Sequence, residues 1–314
     1  VICGGTNNKI IGNRLTGTEQ WAIKVTSEQE FGVNCEIAYN EIYRPADWGV
    51  DCNNQTKIQF RQAIKMNTRG DGDHGSSVHQ GAWVHHNYIH DWPNKPCSNW
   101  DSGDADIIEP GESNYDWTSS TLSGWYIERN LIERALQSDN AVFDMKVGGI
   151  VARQNTVRDS ASGMGLNIRF GSNTVVESNW MENGGTVVHG GNHRVACNDF
   201  GNGPGVRLRV GDVEWNSGVN SHPRARNVFI ASNRGRLQVG HAPDNSATLP
   251  VQNTVIKDHS GSITLESGFH TGTVDNRDQP SDLNCTEAVP LKLALVGPAA
   301  MSQASAAFLI CRMP

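Results

Sequence analysis

Short runs of β-branched and other apolar residues punctuate this chain, and an asparagine recurs in them. IIGNRL, EIAYNEI, VHHNYI, YIERNLI, VARQNTV, VVESNWM, RVACNDF, VFIASN and PVQNTVI each bring a strand-like run to an asparagine, and most resume a β-prone stretch after it. The asparagines are Asn13, Asn40, Asn87, Asn130, Asn155, Asn179, Asn198, Asn233 and Asn253, at intervals of 27, 47, 43, 25, 24, 19, 35 and 20. A coil of about 22–25 residues, lengthened in places by inserted loops, accounts for these intervals. Further β-prone runs follow beyond a turn: AVFDMKV, GLNIRF, TVVHG, VRLRV, RLQVG and SITLES.

Such a period predicts a solenoid in which each turn packs only on its neighbours. Val and Ile dominate in place of regularly spaced Leu, and no long helical pattern separates the runs, which sets leucine-rich repeats aside. The expected fold is all-β, a right-handed parallel β-helix with an asparagine ladder and inserted loops. A β-propeller is the runner-up, but each blade needs about 40–45 residues and four strands. Asparagine suits a ladder because its amide can bond the backbone of the next coil and because it tolerates the left-handed backbone of tight turns. One catalytic β-helix domain is expected over 1–314, with 271–314 a non-repeating C-terminal cap or tail. The Ala- and Leu-rich stretch 291–307 is expected to cap the end of the solenoid. Segments 43–80 and 91–123 read as insertions, the first built around a short helix at 56–66.

Strand alternation sorts the faces. Phe143, Met145, Val147, Leu166, Ile168, Phe170, Val188, Val206, Leu208, Val210, Leu237, Val239, Ile263 and Leu265 are assigned inward. Val142, Asp144, Lys146, Asn167, Arg169, His189, Arg207 and Arg209 are assigned outward. Stacked at about 4.7–4.9 Å per strand, Lys146, Arg169, His189 and Arg209 form a basic stripe roughly 15 Å long. Like charges at this spacing repel, and a polyanion on the face would offset the repulsion. The plainer alternative is a solvated sheet face.

Composition sharpens that contrast. The 314 residues carry 33 Asp and Glu against 26 Lys and Arg, a formal charge of −7. An acidic chain is a poor nucleic-acid binder, and no apolar window is long enough to span a bilayer. The expected partner is an anionic polysaccharide, with no nucleic acid and no membrane, bound by a monomer. Seven cysteines stand at 3, 35, 52, 97, 197, 285 and 311. Cys197, inside a periodic run, is expected as the unpaired buried one, and proximity suggests pairs 3–35, 52–97 and 285–311. Sequons occur at Asn54-Gln-Thr and Asn284-Cys-Thr. The cysteines favour a secreted or otherwise extracytoplasmic protein.

Two reactions suit such a face. Glycosidic hydrolysis needs two carboxylates, and the face offers Asp144 and Glu109 without a clean pair on consecutive coils. β-Elimination from a uronic acid needs its carboxylate neutralised, a base for the C5 proton and help for the leaving 4-oxygen. Lys146 is the candidate base, its proton affinity lowered by Arg169 and burial and raised by Asp144. Arg169 is the candidate carboxylate clamp. His189, Arg209, Arg207, Asn167, Asp144 and Glu109 are candidates to hold sugars. His85, His86 and His90 lie near the start of the loop-rich region, and at least one of them is expected to reach the groove and hold substrate. As a zinc site HHNYIH is set aside, because adjacent strand residues face opposite ways.

Residues 125–200 resemble polysaccharide lyase family 6, the β-helix family of alginate lyases and chondroitinase B. The resemblance rests on Val142-Phe-Asp-Met-Lys146-Val-Gly-Gly-Ile-Val-Ala-Arg-Gln-Asn155-Thr, on Asn167-Ile-Arg169-Phe170-Gly171-Ser-Asn173, and on Val187-Val-His-Gly190-Gly-Asn-His193-Arg-Val-Ala-Cys-Asn198-Asp-Phe200. It implies that Lys146 is the general base and Arg169 the catalytic arginine. It also implies a calcium ion held by two acidic residues ahead of the lysine. The matching positions are Asp139 and Ala141, so one ligand is kept, and Asp106 and Glu109 of the preceding coil are the candidates to complete the set. Phe170 stands where the family has a histidine. The chain is also similar to polysaccharide lyase family 31, whose members pair Lys with Tyr and need no calcium; Tyr115 is the tyrosine this likeness nominates. The expectation is therefore a lyase that requires no cofactor, with calcium the alternative. Its substrate is a uronic-acid polysaccharide, alginate first, cut to 4,5-unsaturated oligosaccharides. A glycoside hydrolase, a non-catalytic polysaccharide-binding β-helix and a uronate C5-epimerase are the other readings.

Overall fold

The computed structural model describes residues 1–3, 6–16, 21–25, 34–43, 62–66, 81–92, 106–111, 124–135, 141–160, 165–213, 223–242 and 248–301. Short strands of mostly 2–5 residues recur in the order first, second, third sheet, and every strand pairs parallel with its counterpart one coil away. The first sheet has 10 strands, the second 11 and the third 6. This is the right-handed parallel β-helix that the repeat predicts.

The ladder sits at the turn between the second and third sheets. In each coil the asparagine Oδ1 accepts from both the backbone N and Nδ2 of the asparagine one coil earlier, and its own Nδ2 also donates to an earlier carbonyl. The series runs Asn13, Asn40, Asn87, Asn130, Asn155, Asn179, Asn198 and Asn233, with distances of 2.9–3.1 Å. The ladder asparagines do not themselves take the left-handed conformation. The residue before each one does: Gly12, Tyr39, His86, Arg129, Gln154, Ser178, Cys197 and Ser232 all have φ between 52 and 70°.

Asn253 is not a rung. It has φ 52° and donates to Asn227 Oδ1 at 3.1 Å, as Asn227 does to Asn192 at 3.0 Å. These three lie at the turn between the first and second sheets, where Gly124, Gly149 and Asn173 also hold positive φ. Strand register gives the rung after Asn233 to buried His259.

Phe143, Met145, Val147, Leu166, Ile168, Phe170, Val188, Val206, Leu208, Val210, Leu237 and Val239 are buried as the alternation requires. Val142, assigned outward, is fully buried where its strand begins. Leu265, assigned inward, is 37% exposed, because its strand ends the first sheet and nothing stacks beyond it. Residues 62–66, placed in a short helix by sequence, form a strand paired on both sides.

The C-terminal part departs from expectation. Coil pairing continues through Val274–Asn276. The tail then runs back along the ladder corner instead of capping the stack. Cys285 is bonded to Cys197, Leu291 N donates to Thr156 Oγ1 at 2.9 Å, Gly297 N donates to His86 O at 2.9 Å, and Met301 reaches Gly12. Cys197 is therefore paired, and with Cys285 rather than Cys311. Cys3 and Cys35 are free and buried. Cys52, Cys97 and Cys311 lie outside the described residues.

Candidate active site

The segments outside the described residues, the chain's tail aside, all join the first sheet's strands to their neighbours, either entering from the third sheet or leaving for the second. The asparagine corner carries none. Connections that vary in length around one rigid face are the usual place for function, so the outer face of the first sheet is the candidate site.

Two outward columns cross that face. Register aligns Lys65 with Glu109, Asp144 with Asn167, and Val187 with Arg207 and then Gln238. Two residues further along each strand lie Gly111, Lys146, Arg169, His189 and Arg209, and a register shift brings His241, three residues after Gln238, beside Arg209. The predicted stripe of Lys146, Arg169, His189 and Arg209 is therefore a true column. Gly111 has φ 93°, and a Cβ on it would stand 2.9 Å from the Lys146 carbonyl carbon. Only glycine lets the coil before Lys146 approach this closely.

The column is not uniformly exposed. Lys146 is 1% exposed, not on the open surface, and donates to Glu109 Oε1 at 2.7 Å, with Asp144 Oδ2 at 3.4 Å. Lys65, which sequence reasoning missed, donates to the same Glu109 oxygen at 2.5 Å, and Gln62 donates to Oε2. Arg169 NH1 donates to Asp144 Oδ2 at 3.1 Å, and its side chain is 33% exposed. Of this cluster, Arg169 is the charge that meets solvent.

Electrostatics follow from this packing. Burial opposes the charge on Lys146, but Asp144, Glu109 and Asp106 outweigh it and hold the ammonium above its ordinary pKa. The expected lowering by Arg169 is the weaker influence. Despite burial, Lys65 and Lys146 keep Glu109 below the usual carboxylate range. Asp106 is fully buried, with neither oxygen hydrogen-bonded. Burial, then Asp144 and Glu109, push it well above the usual range.

Among the described residues, the cluster fits calcium poorly. Both Glu109 oxygens and Asp144 Oδ2 are already taken by cationic or amide groups, leaving acceptors on Asp106 and Asp144 Oδ1 alone. Among the described residues, no three acidic, His or Cys side chains converge as a metal site. Asp139 and Tyr115 lie outside the described residues.

The remaining candidates divide. Asn167 and Arg207 share the outer face with the cluster, and buried His189 has its Nε2 3.4 Å from Arg209 NH1. His85 and His86 are elsewhere. His85 ends a second-sheet strand and contacts Glu36 at 3.2 Å, while His86 precedes Asn87 at the ladder corner and accepts from the tail. His90 is in the third sheet. Spacing along the chain places these histidines beside the insertions, but the coil carries them around to other faces.

No protein-family model matches the chain, and no curated protein matches it. Solved structures do. A PL6 family polysaccharide lyase from Pseudopedobacter saltans is similar over 94% of this chain and 79% of its own, at 16% identity and a TM-score of 0.62. A PL6 alginate lyase in complex with a trisaccharide is similar over 95% and 76%, at 12% identity and TM-score 0.61. A mannuronic acid specific family 6 lyase from human gut microbiota is similar over 99% and 86%, at 17% identity and TM-score 0.55. At these identities the likeness establishes the fold.

Proposed function

We propose that the chain is a polysaccharide lyase that cleaves a uronic-acid polymer, alginate first, by β-elimination. The observation that carries this reading is the Lys146–Arg169 pair on adjacent coils of the first sheet's outer face, in a cluster of buried ion pairs from which Arg169 meets solvent. The similar solved structures are lyases of family 6 with the same fold, which supports it.

The substrate carboxylate meets Arg169 first. Its guanidinium, which stays charged, pairs with the carboxylate and then with the enolate that forms as C5 loses its proton. Lys146 supplies the base. Its ammonium, held by Glu109 Oε1 at 2.7 Å, must first release its proton to solvent, which rising pH favours. The amine then takes the C5 proton, the C4–O bond breaks, and the 4-oxygen leaves with a proton from solvent or from a side chain such as Tyr115. Because Lys146 is closed to solvent in the free protein, binding has to uncover it. Among the described residues no step requires a metal.

Hydrolysis is the second reading, favoured by the opposite displacement of two carboxyl groups: burial pushes Asp106 up, and Lys65 and Lys146 hold Glu109 down. Ultraviolet absorbance decides between them. Incubation with alginate, polymannuronate, polyguluronate, dermatan sulfate, chondroitin sulfate and polygalacturonate, with and without chelator, is expected to show new C4–C5 unsaturation. New reducing ends without absorbance would establish hydrolysis. Neither signal from a folded protein would leave a binding face.

A further inference from the structure

The second sheet turns a different surface outward. Its register stacks Trp83, Tyr126, Val151 and Val175 on four successive coils. These are outward positions, where a solvated sheet face normally carries polar side chains. Trp83 is 39% exposed and Tyr126 43%, with Val151 and Val175 half-buried beside them. Apolar side chains that adjoin in this way form a patch, which scattered surface residues do not.

The rings are fixed by their neighbours. Trp83 Nε1 donates to Glu128 Oε1 at 2.8 Å, and Arg153 Nε donates to the other oxygen of Glu128. The indole stacks on buried His85, ring centroids 3.8 Å apart, so its exposed area lies on the opposite face and the edges. Arg153 also stands over the Tyr126 ring, 5.9 Å from its centroid. A ring already held in place loses little freedom when a ligand arrives. Charge on this sheet is layered too. Glu128 is 4% exposed against 39% for its partner Arg153, and Lys9 and Arg194 likewise reach further out than Glu36 and Glu177. In each pair the acid lies deeper, so an approaching ligand meets cations around aromatic rings.

We propose that Trp83 and Tyr126 form a stacking platform that anchors a uronic-acid polysaccharide away from the active site. The C–H face of a sugar ring is slightly positive and fits the negative face of an aromatic ring. The outermost cations, Arg153 first, complement the uronate carboxylates. Register pairs Trp83 with Tyr126 on adjacent strands, about 4.8 Å apart, close to the length of one sugar along its chain. Two neighbouring sugars therefore meet two rings. The platform faces out from the second sheet and Lys146 from the first, so the stretch of chain held here is not the stretch being cut. Its effect is to keep the protein on a long polymer and raise the local concentration of cleavable bonds. The class of polymer rests on the lyase reading; the platform itself rests on the two rings and the ion pairs around them.

Affinity electrophoresis through native gels containing polymannuronate, polyguluronate or neutral dextran tests this. Arg169→Gln is the background, because it slows turnover and weakens binding at the first sheet. Added to it, Trp83→Ala and Tyr126→Ala are each expected to weaken the retardation by the uronate gels about tenfold in apparent Kd. Trp83→Phe keeps a ring and should recover part of the loss, which separates stacking from folding. Retardation that neither alanine variant weakens, retardation by dextran as strong as by the uronates, or no retardation at all overturns the platform. Sedimentation checks the other occupant: a wild-type dimer that Trp83→Ala dissolves would assign the rings to a second copy of the chain and also overturn it. The lyase reading fails separately. No unsaturated product from the wild type, with Trp83-dependent retardation intact, removes the lyase and leaves the platform.

Discussion

Lys146 Nζ lies 2.7 Å from Glu109 Oε1, with both side chains 1% exposed. This buried pair decides how the proposed base titrates. Glu109 helps hold the Lys146 ammonium above its ordinary value, and the active form is the neutral amine, which grows as pH rises. Turnover should therefore climb toward alkaline pH. Glu109→Gln removes one stabilising charge, so the rising limb should move to lower pH. The same change breaks a buried pair and should cost about 3 kcal/mol. The limb is measured at a temperature where the variant stays folded, and an unmoved limb would detach Lys146 from the base role.

Arg169 is the exposed member of the cluster, so its replacement tests chemistry more than folding. Arg169→Gln is expected to lower kcat by about 10²–10³ while unfolding close to the wild type. Lys146→Met should lose at least as much activity, and it should also lose stability, because Glu109 and Asp144 keep their charges with one cation fewer. Retained turnover in either variant removes that residue from the mechanism.

Asn155 bonds to the coils on both sides of it. Its Oδ1 accepts from Asn130 N and Nδ2, and its Nδ2 donates to Ile127 O and Asn179 Oδ1 at 2.8 and 3.0 Å. Asn155→Ala strands these partners out of reach of water, at about 1–3 kcal/mol for each unsatisfied group. The melting temperature should drop by several degrees, and an unchanged value would contradict a stabilising ladder.

The ladder was legible because one residue type must recur wherever an amide bridges coils. Asn253 shows the limit: asparagine also serves left-handed turns, and a spacing of 20 after Asn233 happened to fit a coil. Lys146, Arg169, His189 and Arg209 were legible as a column because coils 141–210 are short and close to the basic period. Lys65 was not, because the long insertions before and after it hide its register. Glu109 was noticed, but that two ammonium groups and an amide converge on it follows only from coils 62–66, 106–111 and 141–147 lying side by side. Alternation also could not show that Lys146 is covered, since it reports which face a side chain is on and not what lies over it.

His193 makes folding pH-dependent. It is 1% exposed, accepts from Thr174 N at 3.2 Å through Nδ1, and burial lowers its pKa to about 4. In the unfolded chain it titrates near 6.5. Between those values the unfolded state binds a proton that the folded state refuses, so stability rises with pH across roughly pH 4–6.5. The full effect is at most about 3 kcal/mol. His86, also lowered to about 4, acts in the same direction. Melting temperatures across this range should rise with pH, and His193→Gln should flatten the slope without abolishing it. A slope equal to the wild type's would show that His193 is protonated in the fold.

The Cys197–Cys285 bond fastens the returning tail to the ladder corner, and a few backbone bonds hold the rest. The β-helix core is complete without the tail, since the coils through Val274–Asn276 pair among themselves. Cys285→Ser should therefore release the tail locally and leave the coils folded. Hydrogen exchange should quicken at Leu291 and Gly297, the two amides that donate to Thr156 and His86. Exchange at the ladder amides Asn130 and Asn155 should slow or hold, because their bonds lie within the stack. Activity should persist as well, because the tail lies along the corner between the second and third sheets and Lys146 faces out from the first. Loss of ladder protection in Cys285→Ser would instead make the tail part of the cooperative core, and the coils would then depend on the strap for their own stability.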